Sequence, residues 1–432
     1  MSRCYAVVGG GISGLSAAYR LRVMAGDDAA IALFDPAAEL GGTLRTIRLA
    51  GQPMDVGAEA FVARRPEVPA LLAELGLSGA QIGTTGARPL IYAKHRLHPL
   101  PADTVNGIPT RADSLTGLLD EAAVAYVAAE PSRSLIWTPG ADPAVGDLVA
   151  VRFGVDVVAR SVDPLLAGVY AGSAATIGLR SAAPAVAAAL DRGARSLTDA
   201  AYEALPPPTS APLFGAVRGG YRVLVERLLA RSGAEWVPTA ITVLHCESGG
   251  WRLGDAAGNR WQADAVVLAV PAPRLSALLG QCAPAAAAAA AAIPVASSVV
   301  VALAVPADTP LPEHSGVLVA TGEPLRAKAI TLSSRKWGGG WGPQLLRCSF
   351  GRFGDEVART AGDAQLLTWA SQDLSAVFGA TVAPIEAYVQ RWIDAMPQYG
   401  PGHGRLVGHL PRGTIGEWLA WITTPSTPPC AT

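Results

Sequence analysis

Lysine is nearly absent from this chain. Of 34 basic residues only Lys94, Lys328 and Lys336 are lysines. Cysteine is scarce and poorly spaced for metal or disulfide chemistry. The five (Cys4, Cys246, Cys282, Cys348 and Cys430) are odd in number, and no two stand at CxxC spacing. Neither a disulfide framework nor a zinc site is expected. The six histidines, His95, His98, His245, His314, His403 and His409, show no pair read as metal-binding, and none is needed for catalysis. Charge is low too. At 16% charged residues and 50% apolar ones, the chain is neither a disordered tail nor a coiled coil. Basic and acidic residues nearly cancel to a net charge of −1, so no field points to nucleic acid or an acidic membrane surface.

The N-terminus has no basic stretch ahead of an apolar one and enters a short apolar run at Tyr5–Val8 at once. No signal peptide is expected, and the cytoplasm is the default compartment. No charged residue stands between Arg274 and Asp308, a stretch long enough to span a bilayer. Pro284 and Pro294 interrupt it, however, and Ala285–Ala292 is only weakly apolar. From Ser297 the chain turns β-branched. A short alanine helix followed by a buried strand is the expectation. The mean hydropathy of +0.30 leaves peripheral membrane attachment open.

With 432 residues, two or three domains are expected. The first 35 read as strand (Tyr5–Val8), glycine turn, helix (Ser13–Met24) and strand (Ala30–Phe34), a βαβ start that predicts an α/β domain. Helical patterns follow at 66–76, 115–130, 142–153, 184–205 and 363–378. A proline run (Pro206-Pro207-Pro208) reads as a linker, and Gly219-Gly220-Tyr221 opens another helix. Strand patterns come in separated blocks, which a dinucleotide domain interrupted by insertions explains.

The turn is Gly9-Gly10-Gly11-Ile12-Ser13-Gly14, a GxGxxG between a strand and a helix, with Asp35 placed 21 residues after Gly14. The helix N-terminus offers N–H groups to a diphosphate, and the acid accepts from ribose hydroxyls. A second glycine pair stands in Glu39-Leu40-Gly41-Gly42-Thr43-Leu44-Arg45, and Asp55-Val56-Gly57-Ala58-Glu59-Ala60 adds a third turn. Arg45 either meets a phosphate or braces its loop. Nicotinamide enzymes have no need of the second element. It resembles the flavoprotein family of amine oxidases, phytoene desaturases and porphyrinogen oxidases, which tilts the dinucleotide from NAD to FAD.

Later segments narrow the resemblance. Residues 161–180 contain Pro-Leu-Leu-Ala-Gly-Val-Tyr-Ala-Gly, 331–337 read Thr-Leu-Ser-Ser-Arg-Lys-Trp, and 391–403 contain Met-Pro-Gln-Tyr-Gly-Pro-Gly-His. Over about residues 3 to 405 the chain resembles the porphyrinogen oxidases of haem biosynthesis in their actinobacterial form. The resemblance implies a Rossmann-like FAD-binding domain (1–86, 214–274 and 397–432). Into it are inserted a substrate-binding domain (87–107 and 275–396) and a helical domain (108–213). It assigns Gly9, Gly10, Gly11, Ile12, Ser13 and Gly14 to the diphosphate, Asp35 to the ribose, and Gly42 and Arg45 to the second glycine element. Gly57, Ala58, Glu59 and Ala60 run along the flavin, and Ile241 packs on adenine. Trp392 and Tyr399 border the flavin, though packing alone would explain both aromatics. Arg64 and Arg65 stand where the family binds a substrate carboxylate, and Val169 and Tyr170 match a wall of the tetrapyrrole cavity. Glu59 as a turn cap and Arg64 as a plain surface charge remain open.

The implied chemistry removes six electrons and six protons from coproporphyrinogen III, with FAD as hydride acceptor and O₂ reduced to H₂O₂. Protoporphyrinogen IX is the competing substrate, and a flavin amine oxidase or carotenoid desaturase the competing enzyme. Hand-over of the product to a ferrochelatase stays open. The chain departs from the family after His403, where no Gly-Ile-Gly-Val-Pro turn follows. The expectation there is an incomplete cofactor site and a weakly FAD-binding, poorly active protein.

Overall fold

The computed structural model describes residues 3–207, 211–247, 249–339 and 342–408. The tail on which the last expectation turns, 409–432, and the third proline of the expected linker, Pro208, lie outside the described residues.

The opening βαβ pattern folds as read. Strand β1 (Cys4–Val8) is followed by helix α1 (Ile12–Ala25) and strand β2 (Ala30–Phe34). The face of α1 carrying Gly14, Leu15, Ala18, Tyr19 and Leu21 is buried, at the spacing of one helical face. It ends at Gly26, whose φ of +79° suits glycine. Two further parallel strands come from far along the chain, Glu235–Val237 beside β2 and Ala265–Leu268 beside β1. The resulting order is Glu235–Val237, β2, β1, Ala265–Leu268. A parallel sheet of this kind binds ligands beyond the carboxyl ends of its strands, which is where Gly9 and Asp35 stand.

A second sheet of seven strands has the order Glu386–Pro397, Val295–Val305, Gln344–Phe350, Ala329–Thr331, Gly316–Val319, Leu90–Ala93, Arg96–Pro99. Its long strand Val295–Val305 is buried at every residue but the first. Val299, Val301, Leu303 and Val305 pack with Leu366, Ala370 and Leu374 of helix Asp363–Phe378. Val300, Ala302 and Ala304 pack with Leu49, Met54 and Val56. The uncharged stretch is therefore a strand covered on both faces. The alanine helix ahead of it, Pro284–Ala291, packs through Ala286, Ala287 and Ala290 against Leu275, Leu278 and Leu279. No helix among the described residues is long and apolar enough to cross a membrane.

Residues between Asp120 and Glu203 are mostly helical and share one core that includes Val149, Phe153, Leu166, Ile177, Leu190 and Leu197. The single helix expected over 184–205 is two, Pro184–Asp191 and Leu197–Glu203. Gly193, at φ +95°, breaks it, and Ser196 caps the second piece by accepting from the Asp199 N–H at 2.9 Å.

Candidate active site

The glycines of the first turn differ in what they permit. A Cβ on Gly9 would lie 2.3 Å from the Ala269 carbonyl oxygen, and one on Gly14 would lie 1.8 Å from that of Gly9. Both are demanded by the packing of turn, strand and helix. Gly11 is different. A Cβ there would meet only the Gly42 Cα, at 3.9 Å. Gly11 bridges to Gly41, and the Gly41 N–H donates to the Gly10 carbonyl at 2.8 Å. The two glycine elements thus lie side by side, and Gly42, Thr43 and Ala58 are exposed along them. Gly11 caps α1 without any side-chain acceptor on the first-turn N–H groups, and that turn carries no acid. Ile12 and Ser13 stand half-buried at this end. Unspent donors, a helix-terminus dipole and an open glycine surface fit a diphosphate-bearing cofactor.

Asp35 ends β2 beside this turn. Its carboxylate accepts from the Gly10 N–H at 2.6 Å and the Ala37 N–H at 2.9 Å, which leaves further lone pairs for a ribose. Ile241 is buried with Val8 and Phe34 on the same side of the sheet. Arg45 pairs with Glu39 at 2.7 Å, so here it braces its own loop.

The third turn leads to the charged centre of the site. A Cβ on Gly57 would lie 1.9 Å from the Thr43 carbonyl oxygen and 3.0 Å from the Trp392 ring. The Trp392 indole N–H donates to the Val56 carbonyl at 3.0 Å. Two residues on, Glu59 pairs with Arg347 at 3.0 Å and also with Lys336. Burial works to raise its pKa, but Arg347 and Lys336 hold it below the usual carboxylate range. The same Arg347 donates to the carbonyls of Asp55 and Gly57. Glu59 is therefore not a local turn cap. It ties the 57–60 segment, Ala60 included, to the seven-stranded sheet. Sequence reasoning missed Lys336 and Arg347, although Lys336 lies inside the 331–337 segment quoted for the resemblance.

Asp55 accepts from the Thr46 hydroxyl at 2.5 Å and the Tyr221 N–H at 3.1 Å. Burial pushes its carboxyl up to about 6 despite these donors. Asp55 and Glu59 border a cavity of ≈ 250 Å³ that also touches Gly220, Ser333 and Trp337.

Arg64 and Arg65 are exposed on the turn after strand Phe61–Val62. Val169 is 59% exposed, so it does not pack as an interior wall. Tyr170 packs edge-on against Tyr399 at 5.6 Å, and Tyr399 against His403 at 4.6 Å. Burial pushes the Tyr399 hydroxyl up to about 12. The structure thus brings the glycine turns, Asp35, the 57–60 segment and Trp392 together, and leaves Arg64, Arg65 and Val169 at the surface.

The profile of flavin-containing amine oxidoreductases matches residues 12–411. The chain belongs to that family. Its cofactor is accordingly a flavin. Within the family the chain is 63% identical to the coproporphyrinogen III oxidase of Mycobacterium leprae, over 95% of this chain and 91% of that one. It is 26% identical to the coproporphyrinogen III oxidase of Bacillus subtilis, over 94% and 89%. A solved structure from Exiguobacterium sp. 255-15, described as a protoporphyrinogen oxidase, superposes with a TM-score of 0.85 at 27% identity, covering 97% of this chain and 92% of the other. The haem-biosynthetic resemblance is thereby shown, and the family fold with it.

Proposed function

We propose that this protein oxidises coproporphyrinogen III to coproporphyrin III with FAD, using O₂ as acceptor and releasing H₂O₂. The observation that carries the reading is the 63% identity to mycobacterial coproporphyrinogen III oxidases over nearly the whole chain. The open surface at Gly11 and Gly42 beside an uncapped helix supports a dinucleotide form of the flavin. The balance is six electrons and six protons from the substrate, three O₂ in and three H₂O₂ out. The sequence-derived division into cofactor (1–86, 214–274, 397–432), substrate (87–107, 275–396) and helical (108–213) parts goes with this reading.

When bound, the flavin supplies the hydride acceptor. The chain's own groups bind and position. The α1 N-terminus and the turn at Gly9–Gly14 receive the diphosphate, and Asp35 the ribose. Glu59, held by Arg347 and Lys336, fixes the segment that would run along the isoalloxazine. Trp392 also holds that segment, donating to the Val56 carbonyl. The family resemblance assigns the substrate's propionates to Arg64 and Arg65, both solvent-exposed, with Tyr170 as a wall. Aromatisation drives the reaction, so orientation and exclusion of water are the main tasks. The product would pass to a ferrochelatase, with iron inserted before decarboxylation.

The test is an aerobic assay of the flavin-loaded protein with coproporphyrinogen III and protoporphyrinogen IX in parallel, following porphyrin fluorescence and peroxide. Faster turnover of coproporphyrinogen III, with peroxide released in a ratio of about three per porphyrin, is expected from the electron balance. A preference for protoporphyrinogen IX would move the reading to the protoporphyrinogen oxidase alternative.

A further inference from the structure

Three cations are buried among the described residues: Arg152, Lys328 and Arg347. Arg152 pairs with Glu130 and Arg347 with Glu59. Lys328 has no such partner. It is 6% exposed, and its Nζ donates only to the carbonyl of Gly351. Two charged groups act on it: Arg352 opposes its charge and Asp355 favours it. Arg352 is itself committed to Asp163 at 2.8 Å. Burial first, and Arg352 second, push the Lys328 ammonium down to about 7. An interior cation without a counter-ion is costly and wants an anion.

Its place in the fold says where the anion would come from. The Lys328 N–H donates to Ser349 and its carbonyl accepts from Val319, inside the seven-stranded sheet. Arg352, next to the carbonyl that Lys328 binds, reaches Asp163 at the start of helix Asp163–Tyr170. The Phe353 N–H donates to Ala171 at the end of that helix. Arg326 and Ala327, just before Lys328, turn their N–H groups to Asp373 on the outer helix. Lys328 therefore stands where the sheet meets the Val169–Tyr170 segment.

Coproporphyrinogen III carries a propionate on each of its four pyrroles, and protoporphyrinogen IX on two, with vinyls on the others. Two propionates can both stay at a cavity mouth. Four cannot, because the ring edge that enters first carries its own. We propose that Lys328 is the interior counter-ion for such a propionate, and so a specificity-determining residue for tetrapyrroles with carboxylates on all four pyrroles. The inference rests on the functional reading above and deepens it.

The test measures binding to the flavin-loaded protein at pH 6 of coproporphyrin III, its tetramethyl ester and protoporphyrin IX, by fluorescence. Lys328→Met should weaken coproporphyrin III roughly ten- to hundredfold and change the other two by less than about threefold, with the flavin-to-protein ratio unchanged. Lys328→Arg should retain most of the coproporphyrin III affinity. Wild type needs no variant: its affinity for coproporphyrin III should fall between pH 6 and pH 9 as the ammonium loses its proton, while the ester stays flat. Equal weakening of all three ligands, no weakening of coproporphyrin III, or a flat wild-type pH series would overturn the inference. If wild type oxidises coproporphyrinogen III yet shows none of these differences, the inference alone fails. If wild type does not oxidise it, the functional reading fails as well.

Discussion

Glu59 and Arg347 are 288 residues apart in the chain and 3.0 Å apart in the fold. That pair, with Lys336, joins the third glycine turn to the seven-stranded sheet. Both partners are largely buried, with side chains 16% and 9% exposed. Removing the carboxylate would leave two cations facing each other. Glu59→Ala should therefore cost about 3 kcal/mol of stability. Calorimetry should record a lower Tm, and gel filtration a loss of bound flavin. Glu59→Gln should keep the shape and lose the charge, with a smaller fall in Tm.

Gly11 and Gly14 separate cofactor binding from folding. A side chain on Gly14 collides with the Gly9 carbonyl, whereas one on Gly11 meets only the Gly42 Cα at 3.9 Å. Gly14→Ala should destabilise the apoprotein and lose flavin together. Gly11→Val should leave the apoprotein circular dichroism and Tm near wild type, and lose the visible flavin absorbance. Retention of flavin by Gly11→Val would remove this glycine from the cofactor's path.

The contrast between these two sites marks what local pattern can disclose. The turn, its helix and Asp35 form one contiguous βαβ unit, and the spacing of glycine and acid carries its own geometry. Glu59 belongs to no such unit. Its partners arrive through sheet pairing across 277 and 288 residues, and no single-segment periodicity encodes that. The strand Val295–Val305 was legible because two-sided burial removes polar residues from both alternating faces. The break at Gly193 was not, since alanine-rich pattern continues on either side of it. Lys328 looked like any other charge in sequence. Only its burial without a carboxylate makes it notable.

Asp55 gives a pH dependence of known sign. Its carboxyl is raised from 3.8 to about 6 by burial. Across that window the folded protein holds more protons than the unfolded chain, so stability falls as pH rises. The contribution is fully present below pH 3.8, and lost above about 6. The two-unit shift sets an upper bound of about 3 kcal/mol. Urea midpoints between pH 4 and pH 7 should show this downward component in wild type. In Asp55→Asn, which still accepts from Thr46 and Tyr221, it should be missing. An identical slope in both proteins would assign the effect elsewhere.

Glu130 should prove the most sensitive carboxylate of the helical part. It is fully buried and accepts from the Leu197 N–H at 2.9 Å, the Thr198 N–H at 3.1 Å, the Thr198 hydroxyl at 2.7 Å and Arg152 at 2.6 Å. Burial opposes its ionisation, but the Leu197 and Thr198 donors and Arg152 hold its pKa below the ordinary value. Glu130 thereby receives the N-terminus of helix Leu197–Glu203 and neutralises Arg152 at once. Glu130→Ala would orphan a buried guanidinium and two backbone donors, at a cost of about 3–5 kcal/mol. The glycine turns proposed to receive the cofactor lie on other elements, so flavin stoichiometry at low temperature should stay near wild type while Tm falls. Exchange of both partners, Glu130→Leu with Arg152→Met, should recover part of the loss, because no buried charge is then left alone. A double variant as unstable as Glu130→Ala would show that the capping of Leu197 and Thr198, rather than the ion pair, carries the stability.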